Sequence, residues 1–146
     1  ATSGQGIMTH RFREYGPWAG EIGGTIKGSI ISGAKGSTTE YSLNKLQDRG
    51  RFFVDPGEEI YEGQVIGEHS RDNDLEVNVV KGKQLTNMRK SGTDEASKIA
   101  PKIQFSLEEA MEYIREDEYV EITPLSMRLR KIHLTEAARK ASGKKV

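Results

Sequence analysis

Between Gly16 and Val80 the β-type residues come in short runs, each broken by turn residues. Ser29-Ile30-Ile31 sits inside a glycine-dense stretch that includes Pro17, Gly20, Gly23, Gly24, Gly28, Gly33 and Gly36. Arg51 to Val54 is stopped by Asp55-Pro56-Gly57, and Glu59 to Gly67 follows. Leu75 to Val80 then sets Leu75, Val77 and Val79 on one face. An earlier alternation from Ile7 to Tyr15, with Met8, His10 and Phe12 against Thr9, Arg11 and Arg13, predicts a strand in need of a partner. Near the other end, Tyr119 to Thr123 and Leu125 to His133 read as strands around Pro124. The second of these buries Met127 and Leu129 while Ser126, Arg128 and Arg130 point outward. The expected fold is α+β: mostly antiparallel β in a small, partly closed, barrel-like sheet, with two or three helices and a long basic loop.

The helices announce themselves by their caps. Ser106-Leu107-Glu108-Glu109 is a capping box, and Leu107, Ala110, Met111 and Ile114 follow at helical spacing, predicting a helix to about Asp117 with that stripe in the core. Ser37-Thr38-Thr39-Glu40 fits the same pattern for a helix ending at Arg49 before Gly50, with Tyr41 and Leu46 inward. Thr135 caps a last short helix ending near Gly143, and the chain after about residue 135 is expected to be partly disordered. Lys81 to Pro101 follows neither period. At about twenty residues it exceeds the usual connection in a compact domain, and loops of that length are functional or disordered.

Charge narrows the function. The chain carries 22 basic and 22 acidic side chains and no net charge, so no overall field draws it to nucleic acid. Its charges are nevertheless segregated: Glu108 to Glu121 is acidic apart from Arg115, whereas Lys81, Lys83, Arg89 and Lys90 form an acid-free run and Arg128 to Lys145 is basic. No stretch approaches the roughly 20 apolar residues of a membrane span. With 0 cysteines there are no disulfides, thiolate metal sites or cysteine nucleophiles, and the cytoplasm is the expected compartment.

Several arrangements with chemical promise fall short on spacing. Gly33-Ala34-Lys35-Gly36-Ser37 lies between strand and helix, but its order is Lys-Gly-Ser rather than Gly-Lys-Ser. His10, His69 and His133 lack metal-ligand spacing. His69-Ser70-Arg71-Asp72-Asn73-Asp74 offers the groups of a hydrolase on one turn, where adjacent residues cannot form a relay. Asp72, Asp74 and Glu76 alternate like calcium ligands without the glycine or closing glutamate of a calcium loop. What survives is Lys81-Gly82-Lys83-Gln84-Leu85-Thr86-Asn87-Met88-Arg89-Lys90, which supplies cations for phosphates, amides and hydroxyls for sugars and base edges, and glycine for close approach. Arg49, Arg51, Arg71, Arg128, Arg130 and Lys131 extend this patch if folding brings them together. Catalytic and metal sites are expected to be absent.

Three long segments add a resemblance. Leu46 to Arg51, Ile60 to Leu75 and Lys83 to Glu95 occur in an order that resembles BipA/TypA translational GTPases. The helix from Ser106, then Glu121 to Pro124 and Arg128 to Lys131, continues the likeness from about Gly20 to Leu134. The resemblance implies that residues 1–17 are the final strand of a preceding, elongation-factor-G-like fifth domain and that residues 18–146 form the family's C-terminal domain. It also implies a ribosome-binding module, a monomer, whose long loop reaches large-subunit rRNA and the acceptor end of an A-site tRNA. By match of motif this role falls on Lys83, Thr86, Asn87 and Arg89. GTP and magnesium would belong to a G domain outside this chain, so no cofactor, small-molecule substrate or catalytic residue is expected here. The parent is expected to act in ribosome assembly or stress-related translation. A protein-interaction module, docking a ribosomal protein or another partner through the acidic helix or a strand edge, is the alternative; a small hydrolase is a more distant one.

Overall fold

A computed structural model of the chain describes residues 9, 11–17, 27–82 and 99–143. The central strand is β5 (Gln64–His69), in which every residue but the half-buried Glu68 is buried. On one edge it pairs antiparallel with β1 (Ser29–Ser32), and β1 pairs in parallel with β6 (Leu75–Val77). Its other edge is shared: β8 (Met127–Lys131) takes Gln64 and Val65, while β3 (Gly50–Phe52) takes Gly67 to His69. An outer strand, β7 (Glu118–Ile122), completes the order β6-β1-β5-β8-β7. A separate two-stranded ribbon joins β2 (Gly36–Ser37) to β4 (Glu59–Ile60). The α+β class and the mostly antiparallel pairing expected from sequence hold, but the sheet is open, with β6 and β7 at its two ends.

One irregularity decides which residues share a face. Ile30 pairs with Gly67 while its neighbour Ile31 pairs with Val65, so Ile66 is an extra residue, a β-bulge that reverses the alternation along β5. The first face accordingly gathers Ile30, Phe52 and Ile66 with Leu43, Val54, Ile60 and Val79 into the main core. The opposite face packs Val65 and Leu129 against Ala110, flanked by Phe53, Phe105, Tyr113 and Ile114. Phe53, Phe105 and Tyr113 meet with ring centroids 5.0 to 5.5 Å apart.

The main core is covered by α1 (Glu40–Leu46), continued by a 3-10 turn through Gln47–Arg49. Its cap is Thr39, whose hydroxyl accepts the Ser42 amide, and not Ser37, which pairs with Glu59 in the ribbon. Leu43 and Leu46 lie three apart and share the inner face; Leu43 is buried, and Tyr41, two positions before it and so across the helix, is exposed, contrary to expectation. On the other face α2 (Leu107–Tyr113) has the full Ser106–Glu109 capping box. The helix stops at Tyr113, and only Ala110 and Ile114 of the expected stripe turn inward, leaving Leu107 and Met111 exposed. Phe105 and Tyr113 occupy the place assigned to them. The expected last helix is α3 (Glu136–Ser142), capped by Thr135 and tied to β6 by the Arg139–Glu76 ion pair.

The expected strand from Ile7 to Tyr15 is not found in its described part, since Thr9 and Arg11 to Tyr15 pair with no strand and are exposed. Gly63, between β4 and β5, shows why glycine is required there: its φ is +83° and a Cβ would fall 2.5 Å from the Leu134 backbone. Among the described residues no helix is long and apolar enough to cross a membrane.

Candidate nucleic-acid interface

Both stems of the long loop are fastened to α1. At the outgoing end the Lys81 carbonyl accepts hydrogen bonds from the Ser42 and Thr39 hydroxyls, at 2.5 and 2.9 Å, and the Thr39 amide bonds to the Val79 carbonyl. At the returning end the Ala100 amide donates to Gln47 Oε1 at 3.0 Å, and the Ile103 amide to the Phe52 carbonyl at 3.0 Å. Helical geometry then sets the stems about 10 Å apart, the length of α1, on one side of the sheet. Lys81 is exposed at the outgoing stem. Lys83, Thr86, Asn87, Arg89 and Lys90 lie outside the described residues.

The other basic candidates divide into two groups at opposite ends of β5. Arg71 is exposed on the turn after β5, beside Arg49, whose carbonyl accepts the Ser70 amide; Arg51, also exposed, pairs with Glu68 in the same region. Arg128 and Arg130 belong to the far end, where Gln64 is the partner of Arg130. Arg130 stacks over the Tyr119 ring at 5.2 Å and has its Nε 3.6 Å from the Glu121 carboxylate. That carboxylate also accepts the Tyr61 hydroxyl at 2.7 Å. Burial, reinforced by Glu121, raises the Tyr61 phenol well above its usual pKa. Arg130 is thus partly neutralised.

Lys131 does not join the patch. It follows the parity of Met127 and Leu129, its side chain is 1% exposed, and its ammonium sits 2.7 Å from Asp74, 2.8 Å from Asp117 and 2.8 Å from Glu118. An expected phosphate-binding cation is therefore a buried cross-link between β8, β7 and the turn before β6. Ser29 donates to Glu118 at 2.5 Å and its amide to Asp74 at 2.9 Å, while Arg115 reaches Asp74 at 3.3 Å. Burial alone would push the Asp74 carboxyl up and the Lys131 ammonium down. The hydrogen bonds and opposite charges outweigh it, so Asp74 is held below and Lys131 above the usual values.

The rejected motifs are occupied by structural tasks. The Gly33 amide donates to Val77, the Ala34 amide turns to Ser32 Oγ, and Gly36 and Ser37 pair with β4, leaving no nest for phosphate; Glu76 also lies against Gly33. His69 is buried, with Nδ1 2.6 Å from the Asn73 carbonyl, closing its turn. Asp74 and Glu76 face different cations, Lys131 and Arg139.

A cleft of about 250 Å³ opens in the notch where β3 and β8 part along β5. Residues 102–105, the continuation of the returning loop stem, form one wall. Its apolar lining includes Phe53, Phe105, Met127 and Leu129, and its polar groups are Glu58, Gln64, Gln104, Lys102 and Arg128. Lys102 is held by Asp55 at 2.8 Å and Glu58 at 3.2 Å, and the hydrogen bond to Asp55 is the main reason its pKa is raised. Arg128 has a buried Nε with no hydrogen-bond partner among the described residues. Sequence reasoning chose Arg128 but missed Lys102, Gln104 and Phe105, which no spacing ties to β8.

Comparison with known proteins fits this geometry to a family. The model of the TypA/BipA C-terminal domain matches residues 27–136, from β1 to the start of α3. The chain is 50% identical over 144 residues to the large ribosomal subunit assembly factor BipA of Salmonella typhimurium, covering 98% of this chain and 24% of that protein. It is 48% identical over 145 residues to the protein of that name from Bacillus subtilis, covering 99% and 24%, and 49% identical to that of Haemophilus influenzae, covering 98% and 23%. The chain thus spans about a quarter of the length of these relatives. A match across the whole sheet, both main helices and the loop between them leaves one assignment: the chain belongs to the TypA/BipA C-terminal domain family.

Proposed function

We propose that this chain is the ribosome-binding, RNA-contacting module of a large-subunit assembly factor of the translational GTPase class. In this reading the Lys81 to Glu95 loop meets large-subunit rRNA and the acceptor end of an A-site tRNA. Residues 1–17 close the preceding domain, and GTP hydrolysis lies elsewhere in the parent. What supports the reading most is that the described residues on either side of the segment are held at α1 and the turn that continues it, Lys81 by Thr39 and Ser42 and Ala100 by Gln47, so that the cation-rich, acid-free run Lys81 to Lys90 starts from a fixed base. Lys83 and Arg89 supply salt-sensitive phosphate contacts, and Thr86 and Asn87 bond sugars or base edges. Arg71 with Arg49 and Arg51 contributes a second set of phosphate contacts.

The chain's lack of cysteine offers a direct test. A Thr86→Cys variant carrying an iron chelate, bound to large subunits, is expected to cleave rRNA by hydroxyl radicals around the peptidyl transferase centre. Cleavage confined to regions remote from that centre would defeat the placement.

A second reading has one observation in its favour. β7 ends the sheet, and Tyr119, Ile122 and Leu125 on or beside it are exposed, Leu125 at 97%. An exposed edge with apolar residues suits addition of a protein strand. Salt-tolerant binding to a ribosomal protein, lost on placing proline at Val120, would favour it.

A further inference from the structure

We propose that the cleft between β8 and residues 102–105 is a subsite for one unpaired RNA nucleotide, its phosphate on Arg128 and its base against Phe105 and Met127. The inference rests on the ribosome-binding reading for its context and on the cleft for its chemistry. Arg128 stands opposite Glu121 in the β7–β8 register, yet that carboxylate is taken by the Tyr61 hydroxyl and by Arg130. Among the described residues the Arg128 guanidinium has no acidic partner, and its Nε is buried and makes no hydrogen bond. A buried guanidinium donor without an acceptor is unfavourable, and the oxygens of a phosphodiester supply the acceptor.

The remaining lining says what that anion is attached to. Lys102 is already held by Asp55 and by Glu58, which also lines the cleft, so Arg128 is the cation left to meet the single charge of a phosphodiester. Phe105, Phe53 and Met127 give an apolar wall on which a ring can lie. Gln64 and Gln104 bring side-chain amides, which carry both donors and acceptors and so match the edge of a base. At about 250 Å³ the space lies at the small end of ligand sites and takes a fragment, not a dinucleotide cofactor. One wall, residues 102–105, lies a few positions beyond Ala100, whose amide bonds to Gln47.

Titration of the chain with AMP, adenosine, inorganic phosphate and acetate, followed by NMR of the Met127 methyl, the Gln64 and Gln104 side-chain amides and the Arg128 Nε–H, tests this. AMP is expected to move all of them, phosphate only Arg128. Arg128→Gln is expected to weaken AMP at least tenfold with the other backbone resonances unmoved, and Phe105→Leu to weaken AMP but not phosphate. No movement with AMP would overturn the proposal, as would acetate acting as strongly as AMP, which would mark a carboxylate and hence a peptide site. The titration needs no ribosome: its failure beside intact ribosome binding removes the cleft alone, and the converse removes the ribosome-binding reading alone.

Discussion

Replacing Lys131 by methionine keeps the length and apolar stem of the side chain and removes only the ammonium. Three carboxylates then lose their shared cation. Asp117 and Asp74, with side chains 59% and 32% exposed, recover hydration and lose little. Glu118 cannot, because its side chain is 0% exposed. Removing one partner of a buried pair costs about 3–5 kcal/mol, and with one fully buried acid the lower end applies, roughly 3 kcal/mol. With a urea slope of about 2 kcal/mol per molar, the unfolding midpoint falls by roughly 1.5 M. Adding Glu118→Gln removes the stranded charge and keeps a group for Ser29, so the double variant is expected to regain about 2 kcal/mol over Lys131→Met. A midpoint shift under about 0.5 M, or a Glu118→Gln change that simply adds its own loss, would refute the buried cross-link.

Other consequences follow from the same contacts. Asp74, held low in the folded state, adds stability above its unfolded pKa of 3.8 that is lost as pH falls through the folded value; Lys131, held high, adds stability below 10.5 that is lost as pH rises past its folded value. Denaturation midpoints should therefore fall at both extremes, and Lys131→Met should flatten the alkaline limb. Gly63→Ala meets both an unfavourable φ and the Leu134 backbone, and is expected to lower stability by about 2 kcal/mol or more in thermal unfolding. Thr39→Ala removes the α1 cap and a bond to Lys81, costing about 1 kcal/mol and speeding amide exchange at the start of the loop. Arg128→Met, relieving the unpaired Nε, is expected to raise stability by up to about 1 kcal/mol while weakening AMP binding.

The parts of the fold legible in the sequence were those specified locally. The Ser106–Glu109 box, the Thr135 cap and the β7–β8 pair around Pro124 each depend on residues a few positions apart, and all three form. Ser37 fits a cap equally well by pattern, but the ribbon with β4 claims it and the cap moves to Thr39, a choice made by a partner more than twenty residues away. The inward face of α2 is set by the aromatic cluster of Phe53 and Phe105, which rotates Met111 out. In the candidate site the basic run Lys81 to Lys90 stands out in the sequence because its composition breaks with its surroundings, and residues 83–90 of it lie outside the described residues. Lys131 was not: its position shares the buried parity of Leu129, but a charged residue is assigned to solvent unless its acids are known, and Asp74 comes from a distant turn. The cleft depends on β3 and β8 sharing one edge of β5, which no local pattern encodes.

The central claim is that the basic loop carries salt-sensitive binding to ribosomal RNA. Co-sedimentation of the chain with 70S ribosomes and 50S subunits across a salt series, beside a Lys83→Ala/Arg89→Ala variant, tests it most directly. The account predicts binding that falls steeply with salt and is lost in the variant, with a shallower salt dependence for whatever remains. Binding equally strong in the variant and indifferent to salt would contradict it.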